Sequence, residues 1–167
     1  VTGAVVFAGI EGSRPVLVEI EALVAPSSLA SPRRNVVGWD SSRLAMLTAV
    51  LEARCGVPLS GRDIFLNVAG GLKISETAAD LAVAAALISS VTGRPAPKRT
   101  VFFGEVALSA ELRQGAQAEA RLKEAAKLGF DNAVMPRPRK PVGNGAGISV
   151  AQPTTLAELI KIMGGIT

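Results

Sequence analysis

The chain has 167 residues, 49% of them hydrophobic but only 4% aromatic, with 18 Lys plus Arg against 14 Asp plus Glu, and it contains no His. That length suits one domain with a real core, and the balance excludes intrinsic disorder. The missing His excludes a Ser-His-Asp or Cys-His centre and any His-ligated metal within the chain, and the single Cys55 cannot form an internal disulfide.

The mean hydropathy is +0.37, yet the longest apolar run, Leu81–Ile88, is far shorter than the roughly 20 residues a membrane span needs. It reads as a core helix. The first residues lack a basic leader region, and a start inside a strand-like run gives the expectation of a piece cut from a longer protein.

Along the chain, Ala4–Ile10 and Pro15–Val24 are rich in β-branched residues and flank a turn at 11–14, so they predict a hairpin. In the second strand Val16, Val18, Ile20, Ala22 and Val24 share one face, and Leu17, Glu19, Glu21 and Leu23 share the other, partly wet one. Ala25–Val37 predicts a loop. Asp40 or Ser41 then caps a helix to about Cys55, ended by Gly56. Asp63–Ala69 predicts a strand and Gly70-Gly71 a turn. Thr77 and Asp80 have capping-box spacing ahead of a helix through Ser90. Val101–Leu108 predicts a strand, Ala116–Leu128 a helix closed by Gly129, and Asn132–Met135 a short strand. Arg137–Gly147 predicts a basic loop, Ile148–Ala151 a strand, and Thr155 with Glu158 a capping box for the last helix. The expected fold class is α/β, with α+β character: a mixed sheet covered by helices, in one domain over residues 1–167.

Chemistry-bearing patterns are sparse. There is no P-loop signature and no Cys or acidic cluster with metal-ligand spacing. Gly70-Gly71 reads as a tight turn or as an anion cradle ahead of a helix. Without His, a nucleophilic enzyme needs Ser or Thr with Lys. Lys73 and Ser75 are neighbours of that type, but nothing beside them marks a dyad. Asp80 on an apolar helix predicts a cap or a carboxylate paired with an Arg, and Glu105 carries the same ambiguity. The basic pairs Arg33-Arg34 and Lys98-Arg99 and the run Arg137-Pro-Arg139-Lys140 read as solvated loops or as an anion-binding face. The Phe residues read as core, and Trp39 as core or a base-stacking aromatic.

The blocks GSRPVLVEIEALV, PRRNVVGWDSSRLAMLTAVLEARCGV, DIFLNVAGGLKISETAADLAVAAALISS, GEVALSAELR and RLKEAAKLGFDNAVMP, in this order, resemble the C-terminal Lon-protease-like domain of the bacterial RadA (Sms) family of DNA repair and recombination proteins. The resemblance runs from Gly3 to about Met163. It implies a Lon proteolytic-domain-like fold and a domain that follows a zinc-binding motif and a RecA-like ATPase. ATP, Mg and Zn would then belong to those other parts, and this domain would need no cofactor. It also implies a cytoplasmic bacterial protein with DNA, a hexameric ring of its own copies, the ATPase domain in cis and the RecA recombinase as partners, and no membrane.

The Lon peptidase itself uses a Ser-Lys dyad. In the matching stretch, Glu76-Thr77-Ala78-Ala79-Asp80 puts Ala78 at the nucleophile position, and counting on from Gly104 puts Glu119 at the lysine position. The resemblance thus implies a non-catalytic scaffold that supports ring assembly and DNA binding. The alternatives are a Ser-Lys peptidase, disfavoured by both lost positions, and a small-molecule kinase, which lacks its Gly-rich nucleotide loop. Ala110, where Gly is common, and Gln114-Gly115-Ala116-Gln117 depart from the family pattern. The expected phosphate contacts are Arg33, Arg34, Lys73, Arg113 and Arg121. The rival expectation pairs Arg33 and Arg43 with acids such as Asp40.

Overall fold

The computed structural model describes residues 1–138 and 147–166. Arg139 and Lys140 of the expected basic loop lie outside the described residues.

Nine strands and four helices are present among the described residues: β1 (Ala4–Glu11), β2 (Arg14–Pro26), β3 (Arg34–Val37), α1 (Ser41–Cys55), β4 (Arg62–Val68), α2 (Asp80–Thr92), β5 (Thr100–Phe102), β6 (Glu105–Val106), β7 (Leu112–Arg113), α3 (Ala118–Lys127), β8 (Asn132–Val134), β9 (Ser149–Ala151) and α4 (Leu156–Ile162). Seven strands form one mixed sheet in the order β3-β4-β2-β1-β5-β8-β9. β1–β2 and β2–β4 are antiparallel, while β3–β4, β1–β5, β5–β8 and β8–β9 are parallel. β6 and β7 make a separate two-stranded sheet. The protein is therefore α/β, with a mixed sheet flanked by helices.

The hairpin β1–β2 forms as its alternation predicts. Val18, Ile20, Ala22 and Val24 are buried, and Glu19, Glu21 and Leu23 are exposed. α2 lies against β1, β2 and β5 on one side and against α1 and α4 on the other. Every residue from Asp80 to Ser89 is buried, which explains a helix apolar all round. Its alanines let the surrounding elements approach closely. α1 starts at Asp40, whose carboxylate accepts the Ser42 amide at 2.8 Å, and ends at Gly56 in the left-handed region.

Three expectations need correction. Part of the predicted loop, 34–37, is strand β3 on the edge of the sheet. Its Pro, Ser and Arg context hid a strand that is held from outside: Ile64 donates its amide to the Arg33 carbonyl at 2.9 Å, and Asp63 accepts both the Arg33 amide at 2.7 Å and its guanidinium at 2.8 Å. Val101–Leu108 is not one strand. Gly104, at φ 153, turns the chain from β5 into β6, and a Cβ there would sit 2.6 Å from the Pro136 ring. Thr77 and Asp80 form no capping box. A short 3-10 turn at Thr77–Ala79 leads into α2, and the Asp80 carboxylate is used elsewhere. The second box holds in part: Thr155 accepts the Glu158 amide at 3.3 Å, and the Glu158 carboxylate takes the Thr154 amide and hydroxyl.

The Arg33 guanidinium holds the Asp63 carboxyl down from 3.8 to about 2. A depressed folded value means that this stabilisation is fully present above the unfolded value and lost as pH falls through the folded one. In acid unfolding, Asp63→Asn should be less stable than the parent at pH 5, and the gap should close between pH 3.8 and about 2.

Candidate functional site

The sequence singled out the junction before α2, and the structure builds an enclosed corner there. Ala78 is buried and accepts the Gly104 amide at 2.8 Å, while Leu81 donates to the Gly104 carbonyl at 3.0 Å. These two bonds clamp the start of α2 to the β5–β6 crossing. Gly115 closes the corner: a Cβ built on it would lie 3.2 Å from the Ala78 methyl and 3.9 Å from Arg121 Nη2.

Arg121 fills the space beside Ala78. It projects from α3 and is 2% exposed. Its Nε donates to the Ala116 carbonyl at 2.8 Å, Nη1 to the Ala8 carbonyl at 2.8 Å, and Nη2 to Glu76 Oε1 at 2.6 Å. The guanidinium lies 5.4 Å from the Phe103 ring centroid and 6.0 Å from that of Phe7. Glu76 completes the link by accepting the Ile10 amide on Oε2 at 2.7 Å. One ion pair, its guanidinium buried and its carboxylate partly exposed, thus ties β1, the turn before α2 and the approach to α3. Glu119, two residues earlier, is exposed in the first turn of α3. Arg121, and not Glu119, is the α3 side chain beside Ala78.

A second pair, with a buried carboxylate and a partly exposed guanidinium, stands at the other side of the junction. Asp80 is 0% exposed and accepts Arg43 Nε at 2.8 Å, Arg43 Nη2, and the Val106 amide at 2.9 Å. Burial pushes the Asp80 carboxyl up, opposed by the Arg43 and Val106 bonds, and the bond to Asp80 pushes the Arg43 guanidinium up. The pairing expected for Asp80 is therefore met by Arg43. Glu105 faces Arg113 across β6–β7, at 3.6 Å.

The expected phosphate contacts scatter. Arg121 is corrected outright: its donors are used inside the protein and it offers no surface to a phosphate. Arg33 remains half exposed but is tied to Asp63. Arg33 and Arg43 do pair with acids, but with Asp63 and Asp80, while Asp40 caps α1. Arg34 is exposed and donates Nη1 to the Arg62 carbonyl, which brings in an arginine that the sequence reading missed. Lys73 is exposed on the extended segment after β4, where Ile74 donates to the Gly38 carbonyl just beyond β3. Arg34 begins β3, with Arg33 just before it, and Lys73 lies near its end, about 13 Å away at a strand's rise. Arg113 is exposed on the separate sheet.

Lys73 and Ser75 line a cleft against the β1–β2 hairpin, together with Phe7, Val16 and Glu76. Among the described residues no hydrogen bond joins the two. No group of three or more His, Cys, Asp or Glu there could hold a metal, and no helix there is long and apolar enough to cross a membrane. Phe7, Phe102 and Phe103 are core residues, Phe130 and Trp39 pack partly buried against the core, and Phe65, also expected in the core, is only half-buried outside it.

The fold and this corner define an α/β domain organised around two part-buried Arg–carboxylate pairs. A family model described as "Subunit ChlI of Mg-chelatase" matches residues 40–139, more than half of the chain, and the chain belongs to that family. It is also 57% identical over 134 residues to a DNA repair protein RadA of Rickettsia bellii, covering 80% of this chain and 30% of that protein. Against the RadA of Brucella abortus identity is 55% over 158 residues, 95% of this chain and 34% of the other. Against that of Pseudomonas aeruginosa it is 49% over 163 residues, 98% and 36%. The chain spans about a third of the length of these curated relatives.

Truncating Arg121 would leave the Glu76 carboxylate and two carbonyls without their buried donor. Arg121→Met should therefore lose about 3–5 kcal/mol of stability in a urea titration. Glu119→Gln, at the surface, should stay within about 0.5 kcal/mol of the parent.

Proposed function

We propose that this chain is a non-catalytic, Lon-protease-like domain of a RadA-type DNA repair and recombination protein, supporting ring assembly and DNA binding. The observation that carries this reading is the 45–57% identity to proteins named DNA repair protein RadA. In this reading the domain is a single unit of a longer cytoplasmic protein. ATP, Mg and Zn are used by other parts of that protein, whose ATPase domain drives the work on DNA, with RecA recombinase as a further partner.

The absence of peptidase chemistry is supported by the corner around Ala78. Its side chain is a methyl group, Gly115 packs on it, and the neighbouring cation is a guanidinium with three acceptors. An arginine so held cannot serve as a general base, because it stays protonated. A fluorophosphonate probe should give no specific labelling of the pure chain. Stoichiometric labelling of a serine would overturn the non-catalytic assignment.

DNA binding is assigned to Arg34, with Arg33 beside it, and to Lys73 and Arg113. These cations are exposed or half exposed, and a basic surface attracts phosphates without reading sequence. Arg34→Ala and Lys73→Ala avoid the Asp63 pair. Each should reduce the slope of log affinity against log salt by about one unit on duplex DNA of any sequence. Unchanged slopes in both variants, with the assembly intact, would reject this surface. Loss of assembly would place the same residues between subunits.

A further inference from the structure

β3 is the last strand on its side of the sheet, and the chain leaves it through Gly38 at φ 87. A Cβ on Gly38 would lie 2.6 Å from the Leu72 carbonyl oxygen and 2.7 Å from Val68 Cβ, so glycine lets the two segments cross this closely. The Ile74 amide donates to the Gly38 carbonyl at 2.8 Å. This crossing fixes Trp39, the next residue, beside Lys73 and Ser75. Together with Gly38, Asp40 and Ile74 they line an open cleft of about 390 Å³. Trp39 is the single Trp of the chain, and it packs against the core yet stays partly exposed. Among the described residues nothing pairs with the exposed Lys73 ammonium or accepts the Trp39 indole N–H. Asp40 is the acidic group of the cleft, and its carboxylate accepts the Ser42 amide. It repels an anion from its own side, toward Lys73. At the start of β3, about 13 Å from Lys73 at a strand's rise, stands the exposed Arg34.

We propose that Trp39 is a stacking platform for one unpaired base of single-stranded DNA, with Lys73 and Arg34 on phosphates of the same strand. The inference rests on the DNA-binding reading and adds to it the strand state of the DNA. Phosphate contacts alone hold duplex and single strand alike. An aromatic ring open to a cleft, with a free cation beside it, adds a contact that every base can make through its face, whatever the sequence. A duplex keeps its bases paired and stacked on one another, so Trp39 reaches a base only where the strands are apart. The cleft lies at the small end of the range for ligand sites, which suits one base. The rigid crossing at Gly38 holds the ring and the ammonium together before any ligand arrives, so little ordering is left to binding.

The single Trp makes intrinsic fluorescence a direct readout of the parent chain. Oligothymidylate of about 15 nucleotides, and a duplex of the same length, are titrated into it at low salt while the anisotropy of labelled DNA reports binding. The single strand should quench Trp39 and the duplex should not. Thymidine monophosphate should quench far less at equal base concentration, because it cannot reach Arg34 as well. Trp39→Leu should reduce the ratio of single-strand to duplex affinity about tenfold or more, and Trp39→Phe, which keeps an aromatic face, by less. The parent's own emission decides the matter even if Trp39→Leu fails to fold. Binding of both DNA forms with that emission unchanged overturns the stacking site and leaves the DNA-binding reading standing. Quenching by thymidine monophosphate equal to that by the oligonucleotide also overturns it, in favour of a free nucleotide. Absence of binding to either DNA overturns both.

Discussion

The structure depends on burying α2, a helix with no polar face, while its first residue is an aspartate. Asp80 can be buried because a bidentate guanidinium from α1 and an amide from β6 meet it. A carboxylate without such partners would cost several kcal/mol in that environment. The pair does more than offset its own burial. It sets where α1 crosses α2 and where the chain lies after the Gly104 turn. The helix N-terminus adds a favourable field for the same negative charge.

Arg121 and Glu76 repeat this solution on the other side of the junction. Between the two pairs, Ala78 and Gly115 are small because the backbones meet there. The corner is thus rigid and full. It resembles a place where chemistry could be done mainly in its position, at the start of a helix beside a strand crossing. The Arg121 and Arg43 guanidinium groups there each have acceptors within the protein.

Much of the fold was legible in the sequence because it is written in local periodicity. The hairpin alternation, the Asp40 cap, the Gly56 stop and the uninterrupted apolar run of α2 each needed only a few neighbouring residues. β3 was hidden because four residues on a sheet edge, two of them polar, carry no alternation strong enough to read. Their strand state comes from Asp63, 30 positions away. The Thr77–Asp80 box failed for a related reason: a tertiary partner, Arg43, outbid the local cap. Asp80 and Glu105 could be named as residues needing partners, but not matched to them. Arg121 looked like any arginine in an amphipathic helix, and nothing local distinguishes a buried one. Glu76, its partner, carried no signal beyond lying in a polar loop.

The sheet order has a consequence for how the molecule comes apart. β1 has an antiparallel neighbour on one side and a parallel one on the other. On the β2 side its partner follows after a two-residue turn, so that pairing closes a short loop. On the β5 side the partner comes from about 90 residues later, and the β8 and β9 pairings all depend on β5 being in place. Contacts so unequal in loop length differ in the entropy that must be lost to make them. The protein therefore has a seam at β1–β5. Amide exchange would register the late-closing β5, β8 and β9 pairings at a level of protection separate from that of the β1–β2 hairpin.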